Sequence, residues 1–206
     1  DGGRGEVGGV RLADGDSHVA PVVIACPGAE AGRAGWLPDE VRPPVRPVKG
    51  QVVELRGDAA DPAIGRIVGS ERVYIAPRPD GRLIVGATVE EMGFDRRVTA
   101  GGVHELLREA YRLVPEIAEL EFVGALVGFR PGTPDNVPVI GPTGIDGLLI
   151  ATGHYRNGIL LAPATAEAMA DLVCGDGIQG PARAADPARF RDREPGPRPE
   201  GALADE

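Results

Sequence analysis

Gly147-Leu-Leu-Ile-Ala-Thr-Gly-His-Tyr-Arg-Asn-Gly-Ile-Leu-Leu161 carries, in order, an unbroken apolar run, a glycine turn and the beginning of a helical pattern. Apolar residues without alternation mark a strand covered on both faces, as in α/β sheets, and helical spacing then continues from about Asn157 to Val173. A helix that starts directly after a buried strand presents unpaired backbone N–H groups and the positive end of its dipole, which suits an anionic ligand edge such as a phosphate. Gly153 and Gly158 would let a ligand approach the main chain. The same spacing also describes an ordinary strand-to-helix connection, and spacing alone leaves both readings open.

Outward from this unit, a second wholly apolar run, Ala20-Pro-Val-Val-Ile-Ala25, reads as another strand buried on both faces. The two runs are expected side by side in one layer despite their separation in the chain. Ala29 to Pro47 is rich in Pro, Gly and charge and reads as a connector. Beyond it, Gln51–Arg56, Arg66–Val68, Val73–Ala76 and Arg82–Thr88 are short β-rich runs separated by turn chemistry such as Pro79-Asp-Gly81, suggesting an antiparallel meander. Thr99 is placed to cap a helix through Leu113, since Val103, Leu106, Leu107, Ala110 and Leu113 recur at helical spacing and Pro115 stops it. A long strand from about Glu121 to Arg130 follows. From Asp176 to Glu206 large apolar residues almost vanish, so this segment reads as a disordered tail.

Composition narrows the function classes. The 206 residues are 42% apolar, enough for a sizeable core, and the net charge of −9 argues against a nucleic-acid partner, which needs a basic footprint. No run approaches the roughly 20 apolar residues of a membrane span, and Cys26 and Cys174 match no disulfide framework or metal-ligand spacing. The expectation is a soluble, cytoplasmic protein without a metal. Gly3-Arg-Gly-Glu-Val-Gly8 has the GxGxxG spacing of a dinucleotide loop, but lacks the strand before it and the helix after it, so it reads as a turn.

Two arginines sit at element ends: Arg156 in the glycine turn, and Arg130 in Phe129-Arg-Pro-Gly-Thr-Pro-Asp135. Such an arginine can grip a carboxylate through two parallel hydrogen bonds, although a lone arginine is more often solvated surface. Tyr74 within a β run is a candidate ligand or a half-buried packing residue. His154 reads as a turn histidine before it reads as a base.

Six blocks then become recognisable together: Arg46–Gln51, Val73–Arg78, Gly81–Thr88, Gly128–Asp135, Pro138–Gly141 and Ala151–Ala164. In this order they resemble the glycine oxidase branch of the D-amino-acid oxidase superfamily. The resemblance implies an α+β substrate domain with an antiparallel or mixed sheet, at 48–141. It also implies α/β parts of a Rossmann-like FAD domain at 1–47 and 142–175, without the N-terminal βαβ fingerprint. It assigns FAD as cofactor, with Gly153, His154, Tyr155, Arg156, Asn157, Gly158, Ile159 and Leu160 along the flavin. Substrate-binding roles fall to Arg156, which takes the carboxylate, and to Arg130 and Tyr74, with no protein acid or base required. The implied activity is oxidation of glycine or another small amine to the imine, with dioxygen reduced to hydrogen peroxide, supplying the thiazole ring of thiamine. A homo-oligomer without membrane or nucleic-acid partners is expected. There are departures: Pro27 removes a donor near the flavin, and Arg72 and Val89 stand where some relatives carry His and Met. Other readings are a sarcosine-type amine oxidase, a D-amino-acid dehydrogenase, or a non-catalytic domain holding a small carboxylate.

Overall fold

In a computed structural model of the chain, residues 5–175 and 177–190 are described. Along the sequence run β1 (Gly9–Arg11), β2 (Ser17–Val19), β3 (Val23–Ala25), β4 (Arg46–Arg56), β5 (Val68–Gly69), β6 (Tyr74–Pro77) and β7 (Arg82–Gly86). Then come α1 (Ala100–Leu113), β8 (Glu121–Gly132), β9 (Val139–Pro142), β10 (Leu148–Thr152) and α2 (Gly158–Cys174). The chain divides into two compact units, one of Asp1–Pro27, Ala31–Pro44 and Thr133–Glu206, the other of Gly28–Glu30 and Val45–Gly132. No helix among the described residues is long and apolar enough to cross a membrane.

The first unit is built on a three-stranded sheet in the order β3-β10-β9. The two apolar runs do pair: β10 lies parallel to β3, with Leu148 opposite Val23 and Ile150 opposite Ala25. All five residues of β10 are buried, as a central strand without alternation requires. Among the described residues β3 is an edge strand of three residues, and Ile24 is 41% exposed, so the cover expected on both faces is not seen there. Val139, Leu148 and Ile150 pack with Ala25, Ala34 and Leu37 on one side, while Ile140, Leu149 and Ala151 pack with Ala168 and Met169 of α2 on the other. Because β9 pairs antiparallel with β10, residues 133–141 fall in this unit and not with the strands that precede them. The glycine-rich start leads through a bridge between Glu6 and Asp146 into β1, a strand, so no dinucleotide-type helix follows it.

Reading 176–206 as a disordered tail requires correction for residues 177–190. Here 3-10 turns at Gly180–Ala185 and Pro187–Phe190 pack onto the first unit, with Ala185 buried beside Ile140 and Met169. Arg189 donates to Asp135 at 2.9 Å and to the carbonyls of Val137, Ala185 and Asp186, and Pro187 lies over Gly141. Few apolar groups suffice because a multiply bonded guanidinium adds to them. Asp176 and 191–206 lie outside the described residues.

The second unit is a five-stranded antiparallel sheet in the order β5-β6-β7-β4-β8. β5 to β7 form the expected meander, but β4 enters between β7 and β8 and starts at Arg46, inside the stretch read as connector. One face carries Val53, Leu55, Val73, Ile75, Leu83 and Val85, which pack against Leu106 and Ala110 of α1 and Val114 and Ile117 beyond it. Period-2 strands and a period-3.6 helix thus meet along one apolar seam. α1 has the sequence-predicted limits, with Thr99 Oγ1 accepting from Gly102 N at 3.1 Å.

Candidate functional site

α1 packs on one face of this five-stranded sheet, and the strand register decides what the opposite face displays. Tyr74 stands opposite Gly86, Gly86 opposite Val52, and Val52 opposite Leu126, so the four form a row across β6, β7, β4 and β8. Two residues along, Gly50 stands opposite Gly128, and Arg130 belongs to the same face of β8. All of these but Gly86, with Ala87, Val127 and Phe129, line an open pocket of about 330 Å³.

The glycines admit its two polar side chains. A Cβ on Gly86 would stand 2.5 Å from the Tyr74 hydroxyl, and one on Gly50 would stand 2.5 Å from Nη1 of Arg130 and 2.7 Å from Nη2. The phenol and the guanidinium therefore occupy the volume that side chains on β7 and β4 would fill. Arg130 Nη1 donates to the Thr88 carbonyl at 3.0 Å and makes a longer contact of 3.4 Å to the Lys49 carbonyl. Among the described residues no carboxylate pairs with Arg130. A guanidinium with one nitrogen held by carbonyls keeps other donors for a planar anion.

In the first unit, β10 leads into α2 through an unusual turn. Gly153 has φ of 77° and Tyr155, although not a glycine, has φ of 51°. A side chain at Gly153 would strike Thr133 at 2.6 Å, so only glycine fits there. Asn157 N donates to the His154 carbonyl at 2.9 Å, and no side chain caps the start of α2. Arg156 through Leu160 are exposed, Ile159 to 95%. The first N–H groups of the helix, which have no partner within it, thus belong to a stretch of exposed residues. His154 is tied down: its Nε2 lies 2.9 Å from Thr165 Oγ1, and burial lowers its pKa, favouring the neutral ring.

Of the three residues expected to bind substrate, Tyr74 and Arg130 share one pocket, while Arg156 stands exposed on the turn of the first unit. Sequence reasoning missed Gly50, Gly86 and the Thr88 carbonyl. The sequence reading starts this strand only at Gln51, so it does not place residues 48 and 50 on a face, and spacing along β4 does not say which residues of β8 stand opposite.

Residues 1–172, from β1 through most of α2, match the family described as FAD dependent oxidoreductase. The chain belongs to this family. Glycine oxidase of Pseudomonas aeruginosa is 41% identical over 168 residues, which cover 81% of this chain and 45% of that protein. The bifunctional protein ThiO/ThiG of Nostoc sp. is 38% identical over 172 residues, 82% of this chain and 25% of that protein. The crystal structure of glycine oxidase from Geobacillus kaustophilus superimposes with a TM-score of 0.73 at 38% identity, covering 84% of this chain and 46% of the other. The chain therefore spans between a quarter and about half of the length of these relatives. FAD is the cofactor of the family, and the open turn before α2 fits it. Its donors are backbone N–H groups at a helix start, of the kind that suit a ring edge or phosphate carrying negative charge.

Proposed function

We propose that the full-length protein is an FAD-dependent oxidase of small amino acids, with glycine as its first substrate. What supports this reading most is the Arg130 guanidinium, set over Gly50 in a pocket it shares with the Tyr74 hydroxyl and, among the described residues, without a carboxylate partner. Such a site suits the carboxylate of an amino acid. Arg156 keeps the carboxylate-binding role the resemblance gives it, and Arg130, the second arginine of the substrate set, meets the same carboxylate together with Tyr74. His154 through Leu160 lie along the flavin, contributing main-chain N–H groups. When bound, FAD supplies the two-electron oxidation of the C–N bond to an imine, with dioxygen leaving as hydrogen peroxide and water releasing glyoxylate and ammonia.

The chain's own contribution is positional. Fixing the carboxylate orients the α-carbon hydrogen and the amine, and a held substrate gains rate without any protein acid or base. His154, whose Nε2 is bonded to the Thr165 hydroxyl, fits that absence. Glycine as imine donor to the thiazole of thiamine belongs to the same reading, supported by the likeness to the ThiO/ThiG protein. The test is to give the purified, flavin-loaded full-length protein glycine in air and follow peroxide and glyoxylate together. Equal amounts of both are expected. Reduction of an added dye without peroxide would replace this reading by a dehydrogenase.

A further inference from the structure

The most heavily buried polar groups of the second unit flank Gly50. Lys49 and Gln51 are both 0% exposed, on the face opposite the pocket. Burying an ammonium and a primary amide is costly unless each is bonded, and both are. Lys49 Nζ donates to the Arg97 carbonyl at 2.7 Å and to Asp95 at 3.2 Å, with Glu90 at 3.6 Å. The Gln51 amide donates to Glu90 at 2.7 Å and to Thr99 Oγ1 at 3.0 Å, and its oxygen accepts from Thr99 N. It lies against Gly102, where a Cβ would stand 2.5 Å from Nε2.

These bonds fasten the segment after β7 along β4. Lys49 and Glu90 exchange backbone hydrogen bonds, and Thr88 N donates to the Gln51 carbonyl. The Thr88 hydroxyl accepts from Gln51 N at 2.8 Å and donates to the Glu90 carboxylate. Burial alone would raise the Glu90 pKa, but hydrogen bonds from Thr88 and Gln51 and the Lys49 charge hold it below the usual carboxylate range. Both carbonyls that meet Arg130, those of Thr88 and Lys49, belong to this fastened pair of segments.

We propose that Thr88, locked by Glu90 and Gln51, is a positioning residue that sets the Arg130 guanidinium for its carboxylate ligand. The inference rests on the reading of Arg130 given above. The hydroxyl fixes the Thr88 peptide, the Thr88 carbonyl fixes Nη1, and Gly50 leaves the guanidinium room to lie flat on the sheet. A buried polar cluster behind the sheet thereby determines where a charge points in front of it.

The test uses the flavin-loaded full-length protein and glycolate, which carries glycine's carboxylate without its amine, with Kd read from the flavin absorbance. Thr88→Val removes the hydroxyl at nearly constant shape, Thr88→Ser keeps it, and Glu90→Gln keeps an acceptor but drops the charge. Thr88→Val is expected to weaken glycolate and raise KM for glycine together, about three- to ten-fold, the worth of one net hydrogen bond. Its kcat and flavin content should stay within about two-fold of wild type, Thr88→Ser should restore binding, and Glu90→Gln should fall between them. Wild-type affinity in both Thr88→Val and Glu90→Gln, with binding lost in Arg130→Ala, would overturn the positioning role and leave the carboxylate reading standing. Loss of kcat and flavin in step with affinity would mark Thr88 as structural and overturn it equally. Undiminished glycolate binding in Arg130→Ala would instead defeat the reading beneath it.

Discussion

A Cβ on Gly50 would stand 2.5 Å from Nη1 of Arg130, so the missing side chain on β4 is the seat of the guanidinium on β8. The clash is with the far end of a flexible side chain, which can move, and not with backbone. Gly50→Ala should therefore leave the melting temperature within a few degrees of wild type. It should nevertheless lower kcat/KM for glycine by at least about ten-fold, since a displaced charge-assisted pair is worth more than about 1.4 kcal/mol. Paired thermal and kinetic measurements check this, and unchanged kinetics would detach Arg130 from the substrate.

Tyr74 and Gly86 make a second such pair, with the hydroxyl in the place of a Cβ. Tyr74→Phe keeps the ring and removes the hydroxyl, so stability should hold while kcat/KM falls by about three- to ten-fold. Gly86→Ala should push the ring away and cost more. An activity order with Gly86→Ala above Tyr74→Phe would mean that the phenol only packs.

Arg156 is exposed at the start of α2, and its role is separable from that of a solvated arginine. Arg156→Ala should lower kcat/KM for glycine by about 30-fold to several thousand-fold if it grips the substrate carboxylate. Flavin should still bind, since the donors of this turn are main-chain groups. Turnover of a carboxylate-free amine should suffer far less. Equal losses on both substrates would remove Arg156 from the carboxylate.

Asp135 and Arg189 fasten residues 177–190 to the first unit. The Arg189 hydrogen bond holds the Asp135 carboxyl below its ordinary 3.8, against the opposing effect of burial. A lowered folded-state pKa means that the unfolded chain binds the proton first. The pair's stabilisation is therefore present above pH 3.8 and is lost as pH falls through the lower folded-state value. Arg189→Ala should cost about 1–3 kcal/mol near neutral pH, through the carboxylate bond and its carbonyl bonds. The deficit should shrink in acid. A constant difference across the acid range in denaturant titrations would count against the ion pair.

His154 titrates in the same sense, at higher pH. Burial lowers its folded-state pKa below 6.5, so the unfolded chain takes up the proton first and stability declines as pH falls from about 6.5 toward that lower value. His154→Gln should flatten the dependence of melting temperature on pH in this window. A slope identical to wild type would show that another group governs it.

Local chemistry made much of this chain legible. The limits of α1 follow from Thr99, the helical spacing through Leu113 and Pro115, all within one stretch. The turn from β10 into α2 follows from an apolar run meeting a glycine, and the same logic paired β3 with β10. Tyr74, Arg130 and Arg156 stood out by their places in the elements, and their roles came from a likeness of ordered blocks. Their partners were invisible there because those partners are backbone atoms and absent side chains. The Thr88 carbonyl and the bare Cα of Gly50 carry no compositional signal.

By itself the sequence determined where α1 and α2 would run and that β10 would be apolar throughout, because periodicity is a property of neighbours along the chain. Only the tertiary structure decided that β4 lies between β7 and β8, in a register that puts Gly50 and Gly86 under Arg130 and Tyr74. A slip of one residue would turn every side chain of a strand to the other face, and the register is chosen by contacts between strands far apart in sequence. The ordering of 177–190 was decided in the same way. Its few apolar groups do not predict a packed segment, but Arg189 finds Asp135 and Val137 more than fifty residues away, and Pro187 finds the bare surface of Gly141.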